Sequence, residues 1–256
     1  MPPQRFSPVC MVVILTVCGG SVRPAVGSPL DDGLRHLRSE DVLTADAAVE
    51  ELIPLGSAAV DSLLPLLEDP ARDVRAGAIR ALGRIGDSRA TAPLLRQLEA
   101  SLAGTEPDTF ADRYHRILLI RALGRMGESE AQSALRGVAL TGDAFERAHA
   151  GISLFLIGEE SGYDLVLKSL GDPSPAIRSL TAEGLAESRS RRSRELLLRA
   201  AADSEWVVRD AAFQSLSRWL GHEAVEQAFR AGAKDPSWYV RQTVEDVRRA
   251  ASAAGN

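Results

Sequence analysis

Val74, Ala78, Leu82 and Ile85 fall at i, i+4, i+8 and i+11, so they line one face of a helix. Gly86 stops that helix, because glycine takes the left-handed cap conformation without strain. Asp87 or Ser88 then caps a second helix through Pro93 to Leu98. The same pattern recurs along the chain. Aligned on Val74-Arg75, the later copies carry His115-Arg116, Glu146-Arg147, Ile177-Arg178, Val208-Arg209 and Val240-Arg241, with arginines 41, 31, 31, 31 and 32 residues apart. A first copy runs from Ala45 to Leu55, closes at Gly56 and continues from Ala58 to Glu68. Gly127, Gly158 and Gly221 repeat the stop, and Ser188 to Ser193 replaces it in the copy that holds Arg178.

A fixed period near 31 residues means a stacked array rather than one globular core. One helix pair cannot cover both of its apolar faces, so neighbours stack, and the small rotation between them gives a curved superhelix. The last copy follows Val240, Val244 and Val247 with Arg248-Arg249, which reads as a polar terminal cap. The expected fold is all-α: an α-α superhelix of about six two-helix repeats plus a terminal capping helix, over residues 43–256. Residues 28–42, polar with scattered Leu34 and Leu37, form a lead-in or N-terminal cap.

The motif Asp-Pro-x-x-x-Val-Arg-x-x-Ala-x-x-Ala-Leu-Gly-x-Ile-Gly-Asp, complete from Asp69 to Asp87, resembles the HEAT-like repeat named after the phycobilisome bilin lyases. The resemblance covers about residues 43–250. Asp69-Pro70, Asp172-Pro173, Asp203-Ser204 and Asp235-Pro236 precede the best copies, whereas the copies at Arg116 and Arg147 match mainly in the helix itself. It implies that the repeat arginines bridge to acidic residues of adjoining repeats, with Asp69, Asp172, Asp203 and Asp235 as partners. It also implies that the second helices line the concave surface. The motif specifies architecture and is nearly silent on activity.

The N-terminus carries a separate signal. Arg5 precedes the apolar run Val9 to Val17, too short to span a bilayer but long enough for a signal-peptide core. Ala25 and Gly27 sit at −3 and −1 of a cleavage site before Ser28, so residues 1–27 are expected to be removed on export to a periplasmic or secreted location. The alternative takes Leu15-Thr16-Val17-Cys18 as a lipobox with Cys18 lipidated and the domain tethered to a membrane; Val17 departs from the small residue that usually precedes the cysteine.

Composition narrows the function classes. The net charge of −5 gives no global reason to bind nucleic acid. Cys10 and Cys18 are the only cysteines, so the repeat body has no thiol nucleophile, disulfide or cysteine metal site. The four histidines, His36, His115, His149 and His222, lack metal-ligand spacing, and His222-Glu223 is a single dipeptide of the kind that HEAT-like deoxyhypusine hydroxylases use in fours. No phosphate loop, nucleophile elbow or dinucleotide fingerprint is present. The expectation is therefore no enzyme, no cofactor and no metal.

Three features remain as candidates for partner binding. Arg96, Lys168, Arg199 and Arg230 stand 21 residues after a repeat arginine and form a column of cations on second helices. The column fits an acidic peptide or other polyanion, although a cation in a helix's last turn also gains about 0.3–1 kcal/mol from the macrodipole. Trp206 and Trp238 hold equivalent places three residues before Arg209 and Arg241, which suits peptide or sugar stacking. The ten extra residues between the second and third copies, over Ser101 to Phe110, bring Phe110 and Tyr114 to an irregular edge. The function expected is a non-catalytic exported scaffold or adaptor for another protein or peptide. The alternatives are a bilin lyase-like, tetrapyrrole-handling protein and a polyanion or glycan binder.

Overall fold

The computed structural model describes residues 28–39, 41–104 and 109–254. Cys18 and the cleavage segment 1–27 lie outside them. The described elements are helical throughout. Helix α1 (Pro29–Leu37) occupies much of the 28–42 stretch, and Ser28 caps it in a reciprocal box with Asp31. Six helix pairs follow: α2 (Val42–Leu52) with α3 (Ser57–Leu63), α4 (Arg72–Ile85) with α5 (Thr91–Leu102), α6 (Phe110–Met126) with α7 (Gln132–Thr141), α8 (Ala144–Ile157) with α9 (Glu160–Ser169), α10 (Pro175–Leu185) with α11 (Arg191–Ala200), and α12 (Trp206–Leu216) with α13 (Glu223–Gly232). Helix α14 (Trp238–Ala254) closes the array. The result is the expected superhelix of six pairs and a terminal helix.

The turns between first and second helices follow the sequence signals. Gly86, Gly127, Gly158 and Gly221 take φ between 72° and 90°, where a side chain would be strained. The α10–α11 turn lacks such a glycine: α10 ends at Leu185 and Ser190 caps α11 through the Ser193 amide.

Packing is tighter among the first helices than among the second. Small residues make this possible. A Cβ added at Gly83 would lie 2.6 Å from the Ala122 Cα, and one at Gly124 would lie 2.7 Å from the Ser153 Cα. The Ser153 hydroxyl donates to the Ile120 carbonyl at 2.9 Å, and Ser215 donates to the Ala182 carbonyl at 3.0 Å, so two buried hydroxyls stitch successive first helices. The core forms two clusters that meet at α8, which gives Ala150 and Leu154 to the first and Ile152 to the second. On the solvent side of this layer Arg125 binds Glu187 through Nε and Nη2 at 2.5 and 2.6 Å, from α6 to just beyond α10. Two side chains span a whole intervening repeat only if the layer closes up there. The central array therefore bends toward its first helices. This corrects the expectation of a concave surface lined by second helices: glycine and alanine let the first helices approach more closely than the leucine-rich second helices can.

Candidate functional site

Each first helix starts at the edge where the preceding second helix ends, and this edge carries the exposed apolar side chains. Phe110 is 78% exposed at the start of α6, with Tyr114 a turn later. Leu140 and Phe145 flank the α7–α8 connection, and Trp206, Trp238 and Tyr239 open α12 and α14. No large apolar residue is comparably exposed at the opposite edge among the described residues. Tyr239 was not singled out from sequence, yet it joins the two tryptophans: its ring stacks on Trp206 at 4.6 Å and meets Trp238 edge-on at 5.2 Å. A tyrosine beside the second tryptophan was the available signal.

Arg96, Lys168, Arg199 and Arg230 are all exposed on second helices, and none has an ion-pair partner among the described residues. Lys168, Arg199 and Arg230 lie in the last turns of α9, α11 and α13, next to the apolar edge. The structure does not gather the four into one pocket. Arg96 borders a cleft of about 590 Å³ with Leu64, Leu67, Pro93, Ala100, Arg75 and His115. Arg199 borders one of about 250 Å³ with Leu167, Leu170 and Asp203.

The repeat arginines divide into kinds. Arg178 and Arg209 behave as the resemblance implies. Arg178 donates from Nε and Nη2 to both Asp203 carboxylate oxygens at 2.8 and 2.9 Å, and Arg209 does the same to Asp235 at 2.8 and 2.7 Å. The Arg209 hydrogen bonds hold the Asp235 carboxyl below its ordinary range against the cost of burial. Burial works to raise the Asp203 carboxyl, and Arg178 overcomes it. Asp69 pairs instead with Arg38 at 3.1 Å. Asp172 accepts from the Ser174 amide, and no ion pair joins it to Arg147. Arg116 reaches Glu146 at 2.7 Å, a pair whose side chains are each 5% exposed and which uses a glutamate from inside α8.

The first-helix face holds groups that the sequence reading passed over. Arg80 pairs with Asp46 at 2.7 Å, Arg84 pairs with Glu50, and with Tyr114, Arg121 and Arg125 they line a cleft of about 600 Å³. His149 borders a separate small pocket that shares Arg121 with that cleft; the histidine is 6% exposed, and its pKa is lowered to about 4 by burial and then by the Arg121 charge. The equivalent spacing of Arg80 and Arg84 with Arg121 and Arg125 was the sequence signal, hidden among helix-surface charges.

Among the described residues no three His, Cys, Asp or Glu side chains converge as metal ligands, and no helix is long and apolar enough to cross a membrane.

The HEAT-repeat family model matches residues 32–104 and 163–251, more than half of the chain. This chain belongs to the HEAT-repeat family. Among solved structures, this HEAT-repeat protein is similar to the complex of CpcE and CpcF of phycocyanin lyase from Nostoc sp. PCC7120, with 22% identity and a TM-score of 0.54, over 84% of this chain and 85% of that one. It is also similar to human deoxyhypusine hydroxylase in complex with glycerol, with 17% identity and a TM-score of 0.39, over 86% and 94%. No curated protein matches the sequence. The first likeness is one of fold. The unmatched stretch between them, 105–162, holds α6, α7, all of α8 and the start of α9, where Glu146 replaces the repeat aspartate and His149 is buried.

Proposed function

We propose that this HEAT-repeat protein is a non-catalytic, exported scaffold or adaptor that binds another protein or peptide. The observation that carries the proposal is the concentration of exposed apolar and aromatic side chains, with neighbouring cations, along one edge of the array. A stacked array holds such an edge rigid, so little ordering cost is incurred on binding, and small contacts add over several repeats. Export rests on the Val9 to Val17 run and the Ala25 and Gly27 spacing. Crosslinked capture from the envelope fraction of the host tests the whole reading: specific neighbours recovered with the wild-type chain support it, and their absence with folded protein removes it. Intact mass of the same sample separates a chain starting at Ser28 from one lipidated on Cys18.

A second reading, a glycan or polyanion binder, draws on the cluster of Trp206, Trp238 and Tyr239 near Arg199 and Arg230 in the chain's last repeats. Salt-sensitive binding lost in an Arg199→Gln, Arg230→Gln variant favours it. Tetrapyrrole handling draws only on likeness of fold to the lyase complex, and absorbance titration with a bilin tests it.

A further inference from the structure

A repeat arginine in this array does two jobs. Its Nη1 clips the loop ahead of its own helix: Arg178 to the Asp172 and Pro173 carbonyls at 2.8 and 3.2 Å, Arg209 to those of Asp203 and Ser204 at 2.9 Å each. Its Nε and Nη2 form a fork that takes the aspartate of the next repeat, 25 residues on at Asp203 and 26 at Asp235.

At the junction between α4–α5 and α6–α7 the first job is kept and the second is left undone. Arg75 Nη1 donates to the Asp69 and Pro70 carbonyls at 2.6 and 3.0 Å, as the others do. Its Nε and Nη2 have no partner among the described residues. The sequence explains why. Ala100 stands 25 residues after Arg75, and Phe110 stands six before Arg116, where aspartate precedes Arg178, Arg209 and Arg241 by six. Both places where the array would put its carboxylate are filled by apolar residues.

Arg75 also lines the cleft of about 590 Å³. Leu64, Leu67, Pro93 and Ala100 give it apolar walls, and Arg75, Arg96 and His115 line its polar part. Glu68 is its one carboxylate and already accepts from Gln97 at 3.1 Å. Burial, and then the charge of Arg75 with those of Arg72 and Arg116 against Asp112, lower the His115 pKa, so cations crowd the imidazole beside the cleft.

We propose that this cleft docks an acidic segment of a partner protein, one Asp or Glu side chain of which takes the place of the missing repeat aspartate on the Arg75 fork. Charge complementarity selects an acidic occupant, and the apolar walls beside the fork select a peptide with an adjoining apolar residue over a bare anion. The proposal rests on the reading of this chain as a binding module and adds where, and by what chemistry, it binds.

The test uses the protein purified from its host and a fluorescein-labelled decapeptide alternating Asp and Leu, with the Asn and Leu peptide as control, read by anisotropy. The acidic peptide should bind saturably and weaken with salt. Ala100→Asp supplies the carboxylate in cis, on an exposed helix position, and should weaken the peptide about tenfold or more, the loss of roughly one charge-assisted contact. Arg96→Gln should weaken it severalfold at an unchanged melting temperature. Equal binding of the Asn peptide, or an affinity indifferent to Ala100→Asp, overturns the site. So does binding that emerges only in a Glu106→Gln, Asp108→Asn chain, since the insertion's own acids would then be the occupant. Envelope capture separates the two levels: neighbours retained undiminished by the Ala100→Asp chain remove this site and leave the scaffold reading, whereas no neighbours at all remove the broader reading.

Discussion

The junctions at α12 and α14 are near copies of one another, and those at α6, α8 and α10 are not. In the former, an arginine from one first helix grips an aspartate at the entrance to the next with the same two bonds. In the latter the arginine meets a buried glutamate, as Arg116 does, or forms no ion pair across the junction, as for Arg75 and Arg147. The pairing at α12 and α14 sets register at the rim, where the carboxylates keep some water. The central solution sits in the interior, with His149 and Ser153 also buried beside it. A repeated device can thus be dropped at one junction if neighbouring contacts hold the stack, and the junction that drops it is free for other use.

The contrast can be broken most severely at Glu146. Glu146→Ala takes the carboxylate from Arg116 in the core and one arm of the α8 capping box, and should cost about 3–5 kcal/mol in denaturant unfolding, as truncation of a buried pair does. A loss below that of the rim aspartates would show that the central pair is not the stronger fixture.

His149 should dominate the pH dependence between neutrality and pH 4. Its folded pKa of about 4 lies below the ordinary 6.5, so the unfolded chain takes up the proton first as pH falls. Stability is fully present above 6.5 and declines through the folded value, by about 3 kcal/mol in all. His149→Gln should flatten that limb in urea titrations at a series of pH values.

Asp235→Asn at the rim should cost less, about 1–3 kcal/mol, because the site is only partly buried and the amide keeps one bond to Arg209. The Asp235 carboxyl titrates below its ordinary 3.8 in the fold, so its contribution is present above that value and lost as pH falls through the folded one. The effect should therefore fade in acid.

The smallest effect is a gain. Gly137 lies in α7 with open space where a Cβ would go, and Gly137→Ala should stabilise by up to about 1 kcal/mol. Gly124→Ala, against the Ser153 backbone, should instead cost about 1–3 kcal/mol. Thermal melts of the two variants sharpen the distinction between open second helices and the tight first-helix layer.

Most of the fold was legible because its causes are local. The 3.6-residue apolar spacing in Val74 to Ile85 and the glycine stops at 86, 127, 158 and 221 act within a turn or two of themselves. The Arg178 and Arg209 rungs could be read because the resemblance to HEAT-like arrays implies an arginine bridge to the adjoining repeat, and the fixed period names the aspartate opposite. The candidate surface was legible only in pieces. Trp206 and Trp238 stood out as equivalents, but Tyr239 joins them through a stacking that one residue's offset does not announce. Arg125 with Glu187 escaped because the bond skips a repeat and depends on curvature.

The sequence by itself determined the all-helical stack, its six pairs and its terminal helix, since each pair has apolar faces that only a like neighbour can cover. With the resemblance to HEAT-like arrays it also pointed to the arginine rungs at Asp203 and Asp235. Only the tertiary structure decided which layer closes up, because curvature follows from how nearly glycine, alanine and serine let backbones approach. It likewise decided that Arg116 takes Glu146 and that Arg75 lines a cleft, because both depend on which side chain of a neighbouring helix arrives where the repeat's aspartate does not.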